Sequence, residues 1–205
     1  METTRAGSRI VAGEHAVGLT LLLLLCGATV AWPQSPKVIG GVGFGSYGTD
    51  WGMTSDRLRG PVVGAGIEIG RGALAGEIDA LFVQKRDRYV SRGWDFTLDE
   101  LSLPVLLKAR VGSRVRPYVA GGGEIALILS QHTAEAHGGR AMNDLPTVTW
   151  DYGLVVGAGV EVPAGPLTLG LEGRYHHGLR NTTRFTSDGY DFKTRVIAIV
   201  AAVRL

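Results

Sequence analysis

Residues 101–111 read Leu101-Ser102-Leu103-Pro104-Val105-Leu106-Leu107-Lys108-Ala109-Arg110-Val111. Leu101, Leu103, Val105, Leu107, Ala109 and Val111 share one face of an extended chain. Ser102, Lys108 and Arg110, with Glu100 just before them, share the other, because successive side chains of a strand point to opposite sides. The apolar face is uncharged throughout. The alternation also runs beyond the ~5–6 residues usual in a soluble sheet. It suits the ~9–11 residues that carry a strand across a bilayer at a tilt.

Working outward, the same period recurs along the chain. At 150–162, Trp150, Tyr152, Leu154, Val156, Ala158, Val160 and Val162 alternate with Asp151, Gly153, Gly157, Gly159 and Glu161. At 167–174, Leu167, Leu169 and Leu171 alternate with Thr168, Glu172 and Arg174. The pattern predicts strands at about 38–48, 61–70, 73–87, 96–111, 117–131, 148–162, 167–178 and 191–205, with no strong helix among them. Connections alternate in length. Arg71-Gly72, Gly112 to Arg116 and Pro163 to Pro166 are short, whereas 49–60, 88–95, 132–147 and 179–190 are long and polar. Short turns at one end and long loops at the other are the pattern of outer-membrane barrels. The predicted fold class is all-β: an eight-stranded antiparallel up-and-down transmembrane β-barrel. A soluble barrel of this size would be apolar inside and polar outside. Here the glycine-studded charged face suits a cramped interior, so the apolar face is expected to meet lipid.

Composition agrees. The chain has 205 residues, 45% hydrophobic and 20% charged, which excludes a disordered tail. Glycine accounts for 31 residues, about twice ordinary usage and without a collagen period. A net charge of +2 does not suggest nucleic acid. The single cysteine excludes a disulfide framework and a zinc–cysteine site.

Residues Ala16 to Ala31, AVGLTLLLLLCGATVA, follow Arg5 and Arg9 and end in Thr29-Val30-Ala31. This run is short for a membrane span and resembles a secretory signal peptide cut after Ala31. The expected organisation is a signal peptide at 1–31, a linker at 32–37 and the barrel at 38–205.

Strand parity assigns a set of charged residues to the interior: Glu68, Glu77, Asp79, Glu100, Glu124, Asp151, Glu161 and Glu172, with Lys108, Arg110, Arg174 and Arg204. Eight acids face four bases. The expectation is a structural network of ion pairs, since eight strands enclose little more than side chains and buried charges must be paired. Two stacked layers are predicted, a lower one around Lys108 and Arg110 and a middle one around Arg174. A cation path is the competing reading. Pro104 lacks a ladder donor, so a local bulge is expected there.

Other features lie near the long loops. Tyr47, Trp51, Tyr89, Trp94, Phe96, Trp150, Tyr152, Tyr175, Tyr190 and Phe192 are placed for an aromatic girdle. Tyr118 is nearly alone at the opposite end. Arg57, Arg59, Lys85, Arg86, Arg88, Arg92, Arg140, Arg180 and Arg184 make the loop side basic, and guanidinium forks suit lipopolysaccharide phosphates. His176 and His177 read as an interfacial pair. The run His177-Gly178-Leu179-Arg180-Asn181 only approximates the His-x-Ser-Asn of lipid A deacylases. It has no serine nucleophile, and Thr182 is a poor substitute. His132 and His137, with Glu135 between them, read as a solvated loop and not as a metal site.

The segments 101–108 (LSLPVLLK), 116–124 (RPYVAGGGE) and 151–161 (DYGLVVGAGVE), with 175–181 (YHHGLRN), resemble successive strands of the PorT-like outer-membrane β-barrel family. The resemblance covers roughly 38–205. It implies a barrel in the outer membrane and carries over no catalytic residue. Leu205 departs from the aromatic on which such strands usually close. The expected function is a small integral outer-membrane barrel with a structural or interaction role. Its lumen should be closed and polar, with no cofactor, metal or enzymatic activity, and it should not be a general porin. Expected partners are outer-membrane lipid, lipopolysaccharide phosphates and, during biogenesis, the barrel-insertion machinery. Two alternatives stay open, a lipid A-modifying enzyme and a soluble periplasmic ligand-binding barrel.

Overall fold

The computed structural model describes residues 34–48, 55–70, 72–89, 94–135, 149–180 and 193–205. They form eight strands: β1 (Gln34–Gly48), β2 (Ser55–Ile69), β3 (Leu74–Tyr89), β4 (Trp94–Arg110), β5 (Arg116–Glu135), β6 (Trp150–Ala164), β7 (Leu167–Gly178) and β8 (Lys193–Arg204). Each strand pairs antiparallel with the next, and β8 pairs with β1 to close the barrel. The expected signal peptide at 1–31 lies outside the described residues. β1 begins four residues before the expected position, so that Gln34 to Lys37 belong to a strand and not to a linker. They are held by pairing with β2 and, at Lys37, with β8.

Register sets the barrel's stagger. Partners followed once around the wall run from Ser35 through Glu68, Glu77, Leu106, Gly122, Val155, His176 and Val196 to Gly45, ten residues further along β1. A stagger of this size in eight strands requires the strand tilt of roughly 35–45° common to barrels. The ladder slips between Leu58 and Val62 on β2, and between Asp99 and Glu100 on β4. Such bulges sharpen the local twist. No slip occurs at Pro104, contrary to the sequence expectation. Pairing with β3 lapses opposite Pro104 and Leu103 and then resumes in the same register, while pairing with β5 continues through Pro104. The missing N–H removes a rung of the ladder without adding a residue.

The short turns depend on glycine at two clear places. Gly112, between β4 and β5, has φ of 91°, and Gly165, between β6 and β7, has φ of 66°. Both lie in the left-handed region that residues with a Cβ adopt at a cost.

Burial is inverted relative to a soluble protein. Val38, Val63, Leu74, Val105, Leu107, Val119, Leu154, Leu171 and Ile199 are exposed on the outer wall. Lys37, Glu77, Asp79, Lys85, Glu100, Lys108 and Arg174 are buried inside. A wall of exposed aliphatic side chains around paired charges overturns the soluble-barrel alternative, since lipid and not water is the solvent it suits. The interior is not uniformly polar. Ile39, Val62, Leu81, Val83, Val196, Ala198 and Val200 form an apolar cluster, and Leu106, Tyr118, Ala120 and Val155 form another. The expected polar lumen is therefore a mixed one.

Candidate functional site: the charged lumen

β4 carries Lys108 and Arg110 inward near the short turns. Arg110 donates from Nη2 to Glu68 Oε1 at 2.5 Å and from Nη1 to Glu161 Oε2 at 2.9 Å. Lys108 Nζ lies 2.6 Å from Glu77 Oε2, 3.2 Å from Glu161 and 3.3 Å from Glu68. Arg204, on β8, pairs with Glu68 and with Glu161. This lower layer joins β2, β3, β4, β6 and β8.

Above it, Arg174 on β7 uses three of its nitrogens on three carboxylates. Nε donates to Glu172 at 2.8 Å, Nη1 to Asp79 at 2.7 Å and Nη2 to Glu77 at 2.6 Å. Lys37 reaches Glu77 at 2.5 Å and Asp79 at 2.8 Å. Tyr118 donates its hydroxyl to Glu172 at 2.9 Å, and Lys108 lies 4.4 Å from the centre of its ring. Tyr118 is thus a lumen residue and not part of a lower girdle. Glu77 contacts both Lys108 and Arg174, so the lower and middle layers are one connected lattice.

A third group lies toward the long loops. Lys85 meets Glu100 at 2.6 Å and donates to Thr194, whose hydroxyl donates to Asp151. Ser102 donates to Glu124 Oε2 at 2.8 Å, and His176 Nδ1 lies 2.8 Å from the same oxygen. His176 therefore points inward. Its neighbour His177 stays on the outer side, 3.3 Å from the Tyr175 hydroxyl, so the two are not an interfacial pair.

The space for these side chains comes from glycine. A Cβ on Gly66 would stand 2.9 Å from Lys37 Cε and overlap the Asp79 carboxylate. One on Gly157 would overlap the Glu172 carboxylate. These glycines are required by close approach, not by backbone angle.

Of the twelve residues assigned to the lumen by parity, eleven are buried and Arg204 is partly buried. The sequence reading missed Lys37, Lys85, Asp87 and His176, all buried. Lys37 falls in the expected linker, and Lys85, near the end of the expected strand at 73–87, is grouped with the basic loop side. Extending the alternation would have found them: Lys85 and Asp87 share the parity of Glu77 and Asp79, Lys37 that of Ile39, and His176 that of Arg174. With Lys37, Lys85 and Asp87 added, nine acids face six lysines and arginines among the described lumen residues, so the imbalance is smaller than the expected eight to four.

The loop-side features fall unevenly. Trp150, Tyr152 and Tyr175 are exposed on the outer wall. Arg88 pairs with Asp95 at 2.6 Å, and Arg180 donates to the Trp150 carbonyl. Trp51, Tyr190, Phe192, Arg92, Arg140, Arg184, His137, Asn181 and Thr182 lie outside the described residues.

In the lower lumen the lattice leaves a void of about 20 Å³ among Lys37, Lys108, Tyr118, Glu161, Glu172 and Arg204. That is room for about one water molecule. Chemically this arrangement stores paired charge and ties distant strands together.

Residues 91–184 match the family described as the outer membrane protein beta-barrel domain. The matched residues run from just before β4 into the connection after β7. Among solved structures, the barrel is similar to neisserial surface protein A, with a TM-score of 0.54, 16% identity and coverage of 84% of this chain and 96% of that one. It is also similar to the outer membrane protein OprG of Pseudomonas aeruginosa, with a TM-score of 0.52, 13% identity and coverage of 84% and 95%. At these identities the likeness is one of fold. No curated protein matches the chain.

Proposed function

We propose that this barrel is an integral outer-membrane protein with a structural or interaction role, plugged by its own ion pairs and neither a general porin nor an enzyme. One observation carries the reading: the mid-barrel cross-section is filled by Arg174, Lys37 and their carboxylates, joined to the Lys108 layer below through Glu77. A solute would have to separate buried pairs to pass, and an unpaired buried charge costs several kcal/mol. At mid-barrel, Lys37, Lys108 and Arg174 are all paired with carboxylates, and the void beside them is no larger than about one water molecule. The outward part of the reading is the long-loop end of the barrel, where Arg59 on β2, Arg86 and Arg88 on β3, and Arg180 just after β7 would meet lipopolysaccharide phosphates. The finer assignment to the PorT-like family rests on the strand segments at 101–108, 116–124 and 151–161. Export by a signal peptide cut after Ala31, and insertion by the barrel-assembly machinery, belong to the same proposal.

The test is fractionation followed by gel migration with and without boiling, then sugar flux into liposomes. The protein is expected in the outer-membrane fraction, beginning near Trp32, with heat-modifiable migration and no steady sugar passage. Recovery as a soluble periplasmic protein, or size-dependent sugar uptake, would sink the proposal.

A further inference from the structure

The short-turn mouth of the barrel opens on a cavity of about 330 Å³, with Arg110, Arg116, Arg204, Glu68, Ser35 and Thr168 in its walls. Arg110 and Arg204 are engaged with Glu68 and Glu161. Arg116, the first residue of β5, is different. Its Nη2 reaches only the Thr168 hydroxyl, at 3.4 Å, and no carboxylate meets it among the described residues. The Nε groups of Arg116 and Arg110 have no hydrogen-bond partner. A donor left without a partner in a half-buried position is costly, and among the described residues the other lumen guanidiniums, Arg110, Arg174 and Arg204, each meet an acid.

We propose that this mouth binds a phosphate oxyanion, either free inorganic phosphate or the headgroup of a phospholipid. The donors stand on three strands, β4, β5 and β8, and surround the cavity. That suits the several oxygens of a tetrahedral anion better than a single planar carboxylate. Each guanidinium has five N–H donors, so Arg110 and Arg204 keep spare donors beyond those given to Glu68 and Glu161. Arg116 supplies the charge that no carboxylate neutralises, and its fork matches phosphate geometry. Thr168 and Ser35 add hydroxyls that rotate to donate. The cavity is at the lower end of the size range of small-molecule sites. The headgroup source rests on the membrane-spanning reading above, because short turns then lie at the inner-leaflet headgroups. The free-phosphate source does not.

The experiment uses the full chain folded in a maltoside detergent, which carries no phosphate. Inorganic phosphate and dihexanoyl phosphatidylglycerol are titrated separately, and phosphorus NMR line widths are followed. Saturable broadening is expected with at least one probe. Arg116→Gln should weaken it by about tenfold or more, the size expected for losing a charge-assisted bond. Arg116→Lys should fall between, and Arg114→Gln, in the exposed turn, should bind as wild type. Binding of inorganic phosphate identifies the free oxyanion as sufficient; binding of the lipid alone identifies the headgroup. Each variant is checked for heat-modifiable migration. Where Arg116→Gln does not fold, Thr168→Val replaces it, with weakening again expected. No saturable binding of either probe, or equal binding by wild type and the Arg116 or Thr168 variant, overturns the site. Recovery from the membrane fraction is scored independently, so failure of the site and failure of the membrane reading give different results.

Discussion

Arg174 and Glu77 lie ninety-seven residues apart in sequence and 2.6 Å apart in the lumen, where neither side chain is more than 1% exposed. Arg174 sits on β7 and Glu77 on β3, so the pair spans the bore and does not follow a ladder. Each has further partners: Asp79 and Glu172 for Arg174, Lys37 and Lys108 for Glu77. The centre of the barrel is therefore a cross-brace whose members depend on one another.

Replacing Arg174 by methionine should be among the most destabilising single changes. It takes a cationic partner from three buried carboxylates, leaving Glu172 with only the Tyr118 hydroxyl, and breaking a buried pair costs about 3–5 kcal/mol. Arg180→Met, at an exposed position that donates to the Trp150 carbonyl, should stay within about 0.5 kcal/mol. Urea midpoints of the two variants in lipid vesicles would measure the difference; equal midpoints would contradict a closed lumen.

Lys85 and Glu100 allow a cleaner measurement, because both are buried and 2.6 Å apart. Lys85→Met alone should cost about 3–5 kcal/mol by leaving Glu100 unpaired. Adding Glu100→Leu should return most of that loss. A double-mutant cycle with no coupling would mean that the two charges do not meet.

Gly157 and Gly173 are neighbours on opposite faces. A Cβ at 157 overlaps the Glu172 carboxylate, whereas one at 173 has its nearest neighbour, the Ala158 carbonyl oxygen, at 4.0 Å. Gly157→Val should cost at least about 1–3 kcal/mol through overpacking, and Gly173→Ala should be tolerated. Comparable losses of heat-modifiable protein in the two variants would show that Gly157 does not face the charged lattice.

Val105 projects from the middle of β4 onto the outer wall and is 57% exposed. Arginine at this position should cost about 2–4 kcal/mol in a bilayer, as for a charge at the midplane of a barrel's lipid face. The same change on a water-facing wall would be nearly silent. Folding yields into vesicles for Val105→Arg against wild type distinguish the two solvents.

The alternation of Leu101 to Val111, and its echoes at 150–162 and 167–174, determined the strands, their two faces and the inward direction of the charges. Side-chain parity is a local property of an extended chain, so it is written in neighbouring residues. The alternating lengths of the connections determined the antiparallel order for the same reason. Height along the barrel was legible only as coarse layers, a lower one around Lys108 and Arg110 and a middle one around Arg174. Which acid meets which base depends on a stagger of ten residues summed around the wall and on slips at Leu58–Val62 and Asp99–Glu100. Lys37 meets Asp79 along the β1–β2–β3 ladder, across Gly66, but only closure of β8 on β1 brings Arg174 on β7 to Glu77 and Asp79 on β3, and Arg204 on β8 to Glu68 on β2. The sequence by itself thus determined that the charges turn inward. The tertiary structure decided their partners, because a pair across the bore is set by the register of every strand around it and by no single segment.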